Sequence, residues 1–202
     1  GFGWQMGPFE TWDALGVENT LKEMEDAGYN PDTWVYKMLE KEHTSFYKVE
    51  NGAKKYYDIP SGSMKNIPGM ESFTILDNIR ENNLVWSNAG CSILDLGDGI
   101  LNVEFQSKMN TMGGEVLEGI HTGIDLAEQD YRGLVIGNQG QNFTVGANLG
   151  VLFMYAIEQE YDEIDLITNH FQQTIMRARY SSIPVVVAPH TLTLGGGCEL
   201  AM

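Results

Sequence analysis

Apolar positions early in the chain repeat with a helical period. Trp12, Leu15, Leu21 and Met24 form one face and Trp34, Val35, Met38 and Leu39 another, so Glu10 to Glu42 is predicted to hold two short helices. Asp13 and Asp32 suit helix starts, the second because Pro31 precedes it. The text then turns aromatic-rich: the runs Ser45 to Glu50 and Ala53 to Asp58 flank Asn51-Gly52, the dipeptide best suited to the left-handed positions of a type I′ hairpin turn. A lone hairpin is marginal in water, so it is expected to pack on the helices. From Ile59 to Asn88 the pattern lapses. Pro60, Gly62, Pro68, Gly69 and the polar run Asn78 to Asn83 predict a linker over 59–88, between a domain of residues 1–58 and another of 89–202.

Beyond Ala89 short apolar runs alternate with amphipathic stretches. Ser92 to Leu96 and Ile100 to Phe105 read as a hairpin around Gly97-Asp98-Gly99, and Val116, Leu117, Ile120, Ile124 and Ala127 mark Glu115 to Asp130 as a helix. Gly133 to Gly137 is a short buried strand, Leu149 to Glu160 and Tyr161 to Tyr180 are helical, and Val185 to Ala188 is a second buried strand. Strands separated by helices imply parallel pairing through crossovers, hence an α/β fold behind a small, mainly helical piece with a hairpin. No internal repeat interrupts this reading.

Composition narrows the function classes. A chain of 202 residues, 43% hydrophobic, can bury a substantial core, and Pro184 and Pro189 bracket an apolar run too short to span a membrane. A formal charge of −16 with twelve scattered Lys and Arg excludes a nucleic-acid footprint, and it leaves recognition of an anionic ligand to local donors. Cys91 and Cys198 are too few for a disulfide framework and lack partners at metal-ligand spacing, so the expectation is a reducing cytoplasm and no metal. Gly1 to Met6 carries neither an initiator Met nor a signal-peptide pattern, so the chain is expected to be a piece of a longer protein.

The richest chemistry lies in Gly195-Gly196-Gly197-Cys198-Glu199-Leu200, three glycines between a strand and an apolar helical run. Glycines admit close approach to a ligand, and unpaired N–H groups of a first helical turn, at the positive end of the dipole, can hold a developing oxyanion. Glu199 in that turn is either a general acid or base, or a carboxylate that complements the dipole, with cap and packing the commoner outcome. The loop from Gly137 to Asn148 also follows a buried strand and precedes a helix, so an Ala147 N–H could converge on the same ligand. Taken alone it is an ordinary glycine-rich connection. His190 is more simply structural, the Met and Trp residues are core candidates, and the acidic run Glu158 to Asp165 reads as a solvated helix face. No Walker loop, dinucleotide fingerprint or Ser-His-Asp order occurs.

Leu194 to Met202 closely resembles the oxyanion and catalytic-glutamate segment of the crotonase superfamily, in its enoyl-CoA hydratase branch. Phe143-Thr144-Val145-Gly146-Ala147-Asn148-Leu149 is similar to that family's other oxyanion loop, and Ser107 to Met112 to its CoA-binding turn. The resemblance implies a crotonase-like core, incomplete at Met202, in which the Ala147 and Gly196 N–H groups hold a thioester oxygen and Glu199 is one of two catalytic glutamates. It also places Ser107, Lys108, Met109 and Gly146 at the CoA moiety, and the second glutamate downstream of this chain. Asn148 stands where the family usually has an acid, and Pro189-His190-Thr191 where Val-Asn-Gly is typical. Gly1 to Asp13, with Gly7-Pro8-Phe9-Glu10, resembles the helical C-terminal domain of 3-hydroxyacyl-CoA dehydrogenases, whose NAD-binding domain precedes that motif.

Together these imply a dehydrogenase–hydratase fusion of fatty-acid β-oxidation, with NAD bound outside this chain, acyl-CoA as substrate, no metal, and room for a homo-oligomer. This chain alone is then expected to be inactive. Enoyl-CoA isomerisation, thioester hydrolysis and a non-catalytic acyl-CoA-binding piece are the alternatives.

Overall fold

Pro8 opens a helix because its missing N–H costs nothing at a first turn, and Glu10 reaches back to accept the Gly7 N–H at 2.8 Å. In the computed structural model, which describes residues 6–50, 52–70 and 73–202, this motif begins α1 (Pro8–Leu15). The chain falls into two units, Gly1–Asn78 and Ile79–Met202.

In the first unit, α1 is followed by α2 (Val17–Asp26) and α3 (Thr33–Glu40). Three helices stand where two were expected because Gly16, at φ 89°, breaks the first, which leaves Leu15 exposed. Asp32 caps α3 as expected, its side chain accepting the Trp34 N–H. Asp13 starts no helix: from inside α1 its carboxylate accepts the N–H groups of Phe46 (2.7 Å) and Tyr47 (2.9 Å). It thereby satisfies backbone donors at the entry to β1 (Tyr47–Glu50).

β1 pairs with β2 (Ala53–Asp58) in antiparallel register, Glu50 opposite Ala53. Gly52 has the positive φ, 73°, that a type I′ turn needs, while Asn51 lies outside the described residues. β3 (Ser63–Asn66) completes the sheet within the stretch expected to be linker, because Gly62 N–H and Asp58 C=O close a turn at 2.8 Å that returns the chain beside β2. Val17, Leu21, Val35, Met38, Phe46 and Tyr57 form this unit's core, so the hairpin does pack on the helices.

The rest of the expected linker is also ordered structure. Its polar run forms most of α4 (Leu76–Asn83), which buries Leu76 and sets Arg80 2.8 Å from Glu104, and β4 (Leu84–Ser87) pairs with β5 (Cys91–Gly97). β6 (Ile100–Phe105), α5 (Gly114–Asp130), β7 (Gly133–Ile136), α6 (Leu149–Glu158), α7 (Tyr161–Arg179), β8 (Val185–Val187) and α8 (Gly196–Ala201) follow. The sheet runs β4-β5-β6-β7-β8, with β6, β7 and β8 parallel as the strand–helix alternation predicts.

α5 covers the sheet with Val116, Leu117, Ile120, Ile124 and Ala127, all buried with Ile93, Leu101, Val103, Leu134 and Ile136. Arg177 fastens α7 to α5 through Glu128 (2.9 and 2.6 Å) and Asp125 (2.8 Å). Hydrogen bonds from Arg177 and the Ser182 N–H hold the Glu128 carboxyl at about 2, well below the usual carboxylate range. No helix among the described residues is long and apolar enough to cross a membrane.

Close approach of α5 to β5 depends on Gly119, where an added Cβ would lie 1.9 Å from Cys91 Sγ. Alanine there gains about 1 kcal/mol of helix propensity. Overpacking a closed core costs about 1–3 kcal/mol, and at 1.9 Å the upper part of that range applies, so the clash wins. Gly119→Ala should therefore lower stability in urea unfolding, and adding Cys91→Ala should recover part of the loss. An unchanged midpoint in the single variant would contradict this packing.

Candidate active site

Two loops meet beyond the carboxyl ends of β7 and β8, where ligands gather in α/β folds. They are stitched by Phe143 N–H to His190 C=O (3.2 Å), Thr144 N–H to Leu192 C=O (3.2 Å) and Leu194 N–H to Thr144 C=O (3.1 Å). Beyond this stitch the first loop turns at Gly146, whose φ is 86° and where a Cβ would lie 2.9 Å from Leu194 O. Such a site admits only glycine without displacement.

The three glycines of the second loop are constrained, Gly195 by its backbone angle and Gly196 and Gly197 by packing. Gly195, at φ 51°, starts α8; a Cβ on Gly196 would meet the Phe171 ring at 2.6 Å, and one on Gly197 the Thr144 methyl at 2.0 Å. Packing and chemistry are not alternatives here.

Several local donors are already engaged. Gly146 N–H donates to Thr144 Oγ1 (3.0 Å), Gly197 N–H to Leu194 C=O (3.0 Å), and Cys198 and Glu199 N–H to Gly195 C=O (2.9 and 3.3 Å). Among the described residues the N–H groups of Ala147 and Gly196 donate to no protein acceptor. Both residues line one cavity of about 440 Å³, together with Glu199 and Ser107. Its walls are mainly apolar: Met112 and Leu117 on one side, Val151 and Leu152 of α6, Ile167 and Phe171 of α7.

Of the residues expected at the site, Ala147, Gly196, Glu199 and Ser107 are brought together. Gly146 is buried beside Ala147, and Lys108 and Met109 stand outside the cavity lining on an exposed turn, Met109 in left-handed backbone (φ 56°). Reading the sequence missed Glu115 in the first turn of α5, and His170 and Phe171, which line the cavity from α7. The period of α7 marks an apolar face without saying what it faces. Asn148, noted only as a departure, also lines the cavity and caps α6 by accepting the Gly150 N–H at 3.1 Å.

His170 stacks on His121 at 5.6 Å, and burial, helped by His170, pushes the His121 imidazole below its ordinary value. His190 is structural as expected, its Nε2 lying 3.3 Å from Asn138 Oδ1. The acidic run 158–165 is exposed, and no group of three potential metal ligands occurs among the described residues.

This α/β fold is that of the crotonases. The chain superposes on an enoyl-CoA hydratase from Polaromonas sp. JS666 with a TM-score of 0.51, at 23% identity, over 55% of this chain and 44% of that one. It is homologous along its whole length to a "Probable 3-hydroxyacyl-CoA dehydrogenase" of Bacillus subtilis (strain 168), 40% identical over 203 residues and matching 26% of that protein. A "Putative fatty acid oxidation complex trifunctional enzyme" of Rickettsia felis (strain ATCC VR-1525 / URRWXCal2) is 25% identical over 202 residues, again 100% of this chain and 25% of the relative. The chain thus spans about a quarter of the length of the curated relatives it matches. No protein-family model matches. The resemblance drawn from the motifs is borne out by these homologues.

The Gly146 turn gives a direct test of the site's construction. Gly146→Ala forces a non-glycine into φ 86° and a Cβ to 2.9 Å from Leu194 O, so a destabilisation of about 1–3 kcal/mol is expected. Amide exchange should quicken at Met112, whose N–H donates to Gly146 C=O at 2.9 Å. Unaltered protection there would contradict the close approach of the two loops.

Proposed function

We propose that the second unit supplies the hydratase chemistry of a fatty-acid β-oxidation enzyme, adding water across the double bond of a trans-2-enoyl-CoA. One observation carries the reading: Ala147 and Gly196, whose N–H groups have no protein acceptor among the described residues, line an apolar-walled cavity together with Glu199. As the water oxygen bonds to C3, electron density shifts to the thioester oxygen. Two preorganised donors at that oxygen favour the transition state over the ground state. Glu199 carries one of the proton transfers, from the attacking water or to C2, and the resemblance places its partner downstream. The apolar walls suit an acyl chain, and Ser107 in the cavity lining suits the CoA moiety.

The names of the two homologues, a 3-hydroxyacyl-CoA dehydrogenase and a trifunctional enzyme of fatty acid oxidation, support a fused protein, and oxidation of the hydrated product with NAD is part of the same proposal, drawn from the dehydrogenase resemblance. The first unit does not fit that cofactor: its described strands are all antiparallel, so it has no βαβ unit with a helix N-terminus to hold a pyrophosphate, and no nicotinamide step is derived from it. The division into a dehydrogenase-type first unit and a crotonase-type second unit belongs to the same proposal. So does a cytoplasmic location, supported by the two free cysteines.

The test is Glu199→Gln in the natural-length protein, with loss of crotonyl-CoA absorbance as the readout. The change keeps the side chain's shape and removes the titrating group. Turnover should fall about 10²- to 10⁴-fold, the usual worth of a general acid or base. Full turnover would contradict the role assigned to Glu199, and isomerised or free acid product in place of 3-hydroxyacyl-CoA would redirect the reading to a related crotonase chemistry.

A further inference from the structure

Thr144 is fully buried and touches every segment that builds the thioester-oxygen site. Its Oγ1 accepts the Gly146 N–H at 3.0 Å and donates to the Asn110 C=O at 2.5 Å. Because the Gly146 N–H points into the oxygen, the single hydroxyl proton is committed to Asn110. Asn110 belongs to the turn that carries Ser107, and its side chain continues the tie by donating to Asn142 C=O (2.9 Å) and Asn138 Oδ1 (3.0 Å). On the other side the Thr144 backbone pairs with Leu192 and Leu194, and its methyl occupies the space that any side chain at Gly197 would need.

We infer that Thr144 is the positioning residue of this site: its hydroxyl sets the Gly146–Ala147 turn against the 107–112 turn, and its methyl sets Gly197 and so the Gly196 N–H. The inference rests on the hydratase reading. Thr144 touches no substrate atom itself. It acts through the placement of the two donors, for which an error of about 1 Å can cost about 100-fold in rate.

Thr144→Val and Thr144→Ser separate the two functions of the side chain. Valine keeps the branched shape but leaves the Gly146 N–H and the Asn110 carbonyl unpaired; serine keeps the hydroxyl and loses the methyl. Each natural-length variant is assayed on crotonyl-CoA. Each is also bound to butyryl-CoA labelled with ¹³C at the thioester carbonyl, whose stretching frequency is read by isotope-edited infrared spectroscopy. In the wild type that stretch should fall below its solution value. Valine should lose most of the fall and about 10- to 100-fold in kcat with KM little changed, whereas serine should keep both.

Wild-type kcat and carbonyl shift in the valine variant would overturn the inference, as would equal losses in the valine and serine variants. If Thr144→Val does not fold, Thr144→Ala serves for it. Failure of both to fold while serine folds would make the hydroxyl a determinant of the fold and would also overturn the assignment. A wild type that shifts the carbonyl but hydrates nothing sinks the hydratase reading, and the spectroscopic comparison still decides the role of Thr144.

Discussion

The second unit's site depends on one close approach, that of the Gly146 turn to the Leu194–Gly195 backbone beyond β7 and β8. Backbones can come this near only where side chains are absent, and a carbonyl and a left-handed turn then occupy space that a Cβ would fill. From that contact follow the stitch through Thr144, the start of α8 at Gly195, and the presence of Ala147 and Gly196 on one cavity wall. Among the described residues the N–H groups of Ala147 and Gly196 have no protein acceptor, and both residues border the cavity, so a ligand oxygen there can gain two donors without breaking a protein hydrogen bond. Such preorganised donors are favourable around a developing negative charge.

The supports of this arrangement lie at some distance from it. α5 reaches the sheet through Gly119 and Gly123, which bring it against Cys91 and Val103. α7, whose Phe171 ring limits residue 196 to glycine, is fastened to α5 by Arg177 on Glu128 and Asp125. The first unit has its own sheet and core, with Trp12 and Trp34 packed on the buried Phe46 and the Asp13 carboxylate holding the entry to β1.

Much of this was legible in the sequence where a single local rule governs. The period of α5, the Asn-Gly hairpin and the Gly-rich turn before Glu199 each carry their own signal; the position of two glycine-rich loops after buried strands suggested Ala147 as a converging donor, and the crotonase resemblance named Gly196 as its counterpart. β3 and α4 were not legible, because Pro60, Gly62 and the asparagine-rich 78–83 run look the same in a linker as in a tight turn and a short polar helix. Asp13 shows the same limit. An acid near a helix start is a good cap by propensity, and only the return of the chain at Phe46 gives its carboxylate other donors. Thr144 was invisible for a related reason: its partner Asn110 is 34 residues away, and nothing in its neighbourhood announces that distance.

The central claim is that the Ala147 and Gly196 N–H groups bind one thioester oxygen. It is tested most directly by following backbone amides of the ¹⁵N-labelled, natural-length protein as butyryl-CoA, which cannot be hydrated, is added. The Ala147 and Gly196 amide protons should both move downfield as they acquire an acceptor, while those of Gly146 and Gly197, already paired within the protein, should move far less. Resonances of Ala147 and Gly196 that stay in place at saturating butyryl-CoA would contradict the account.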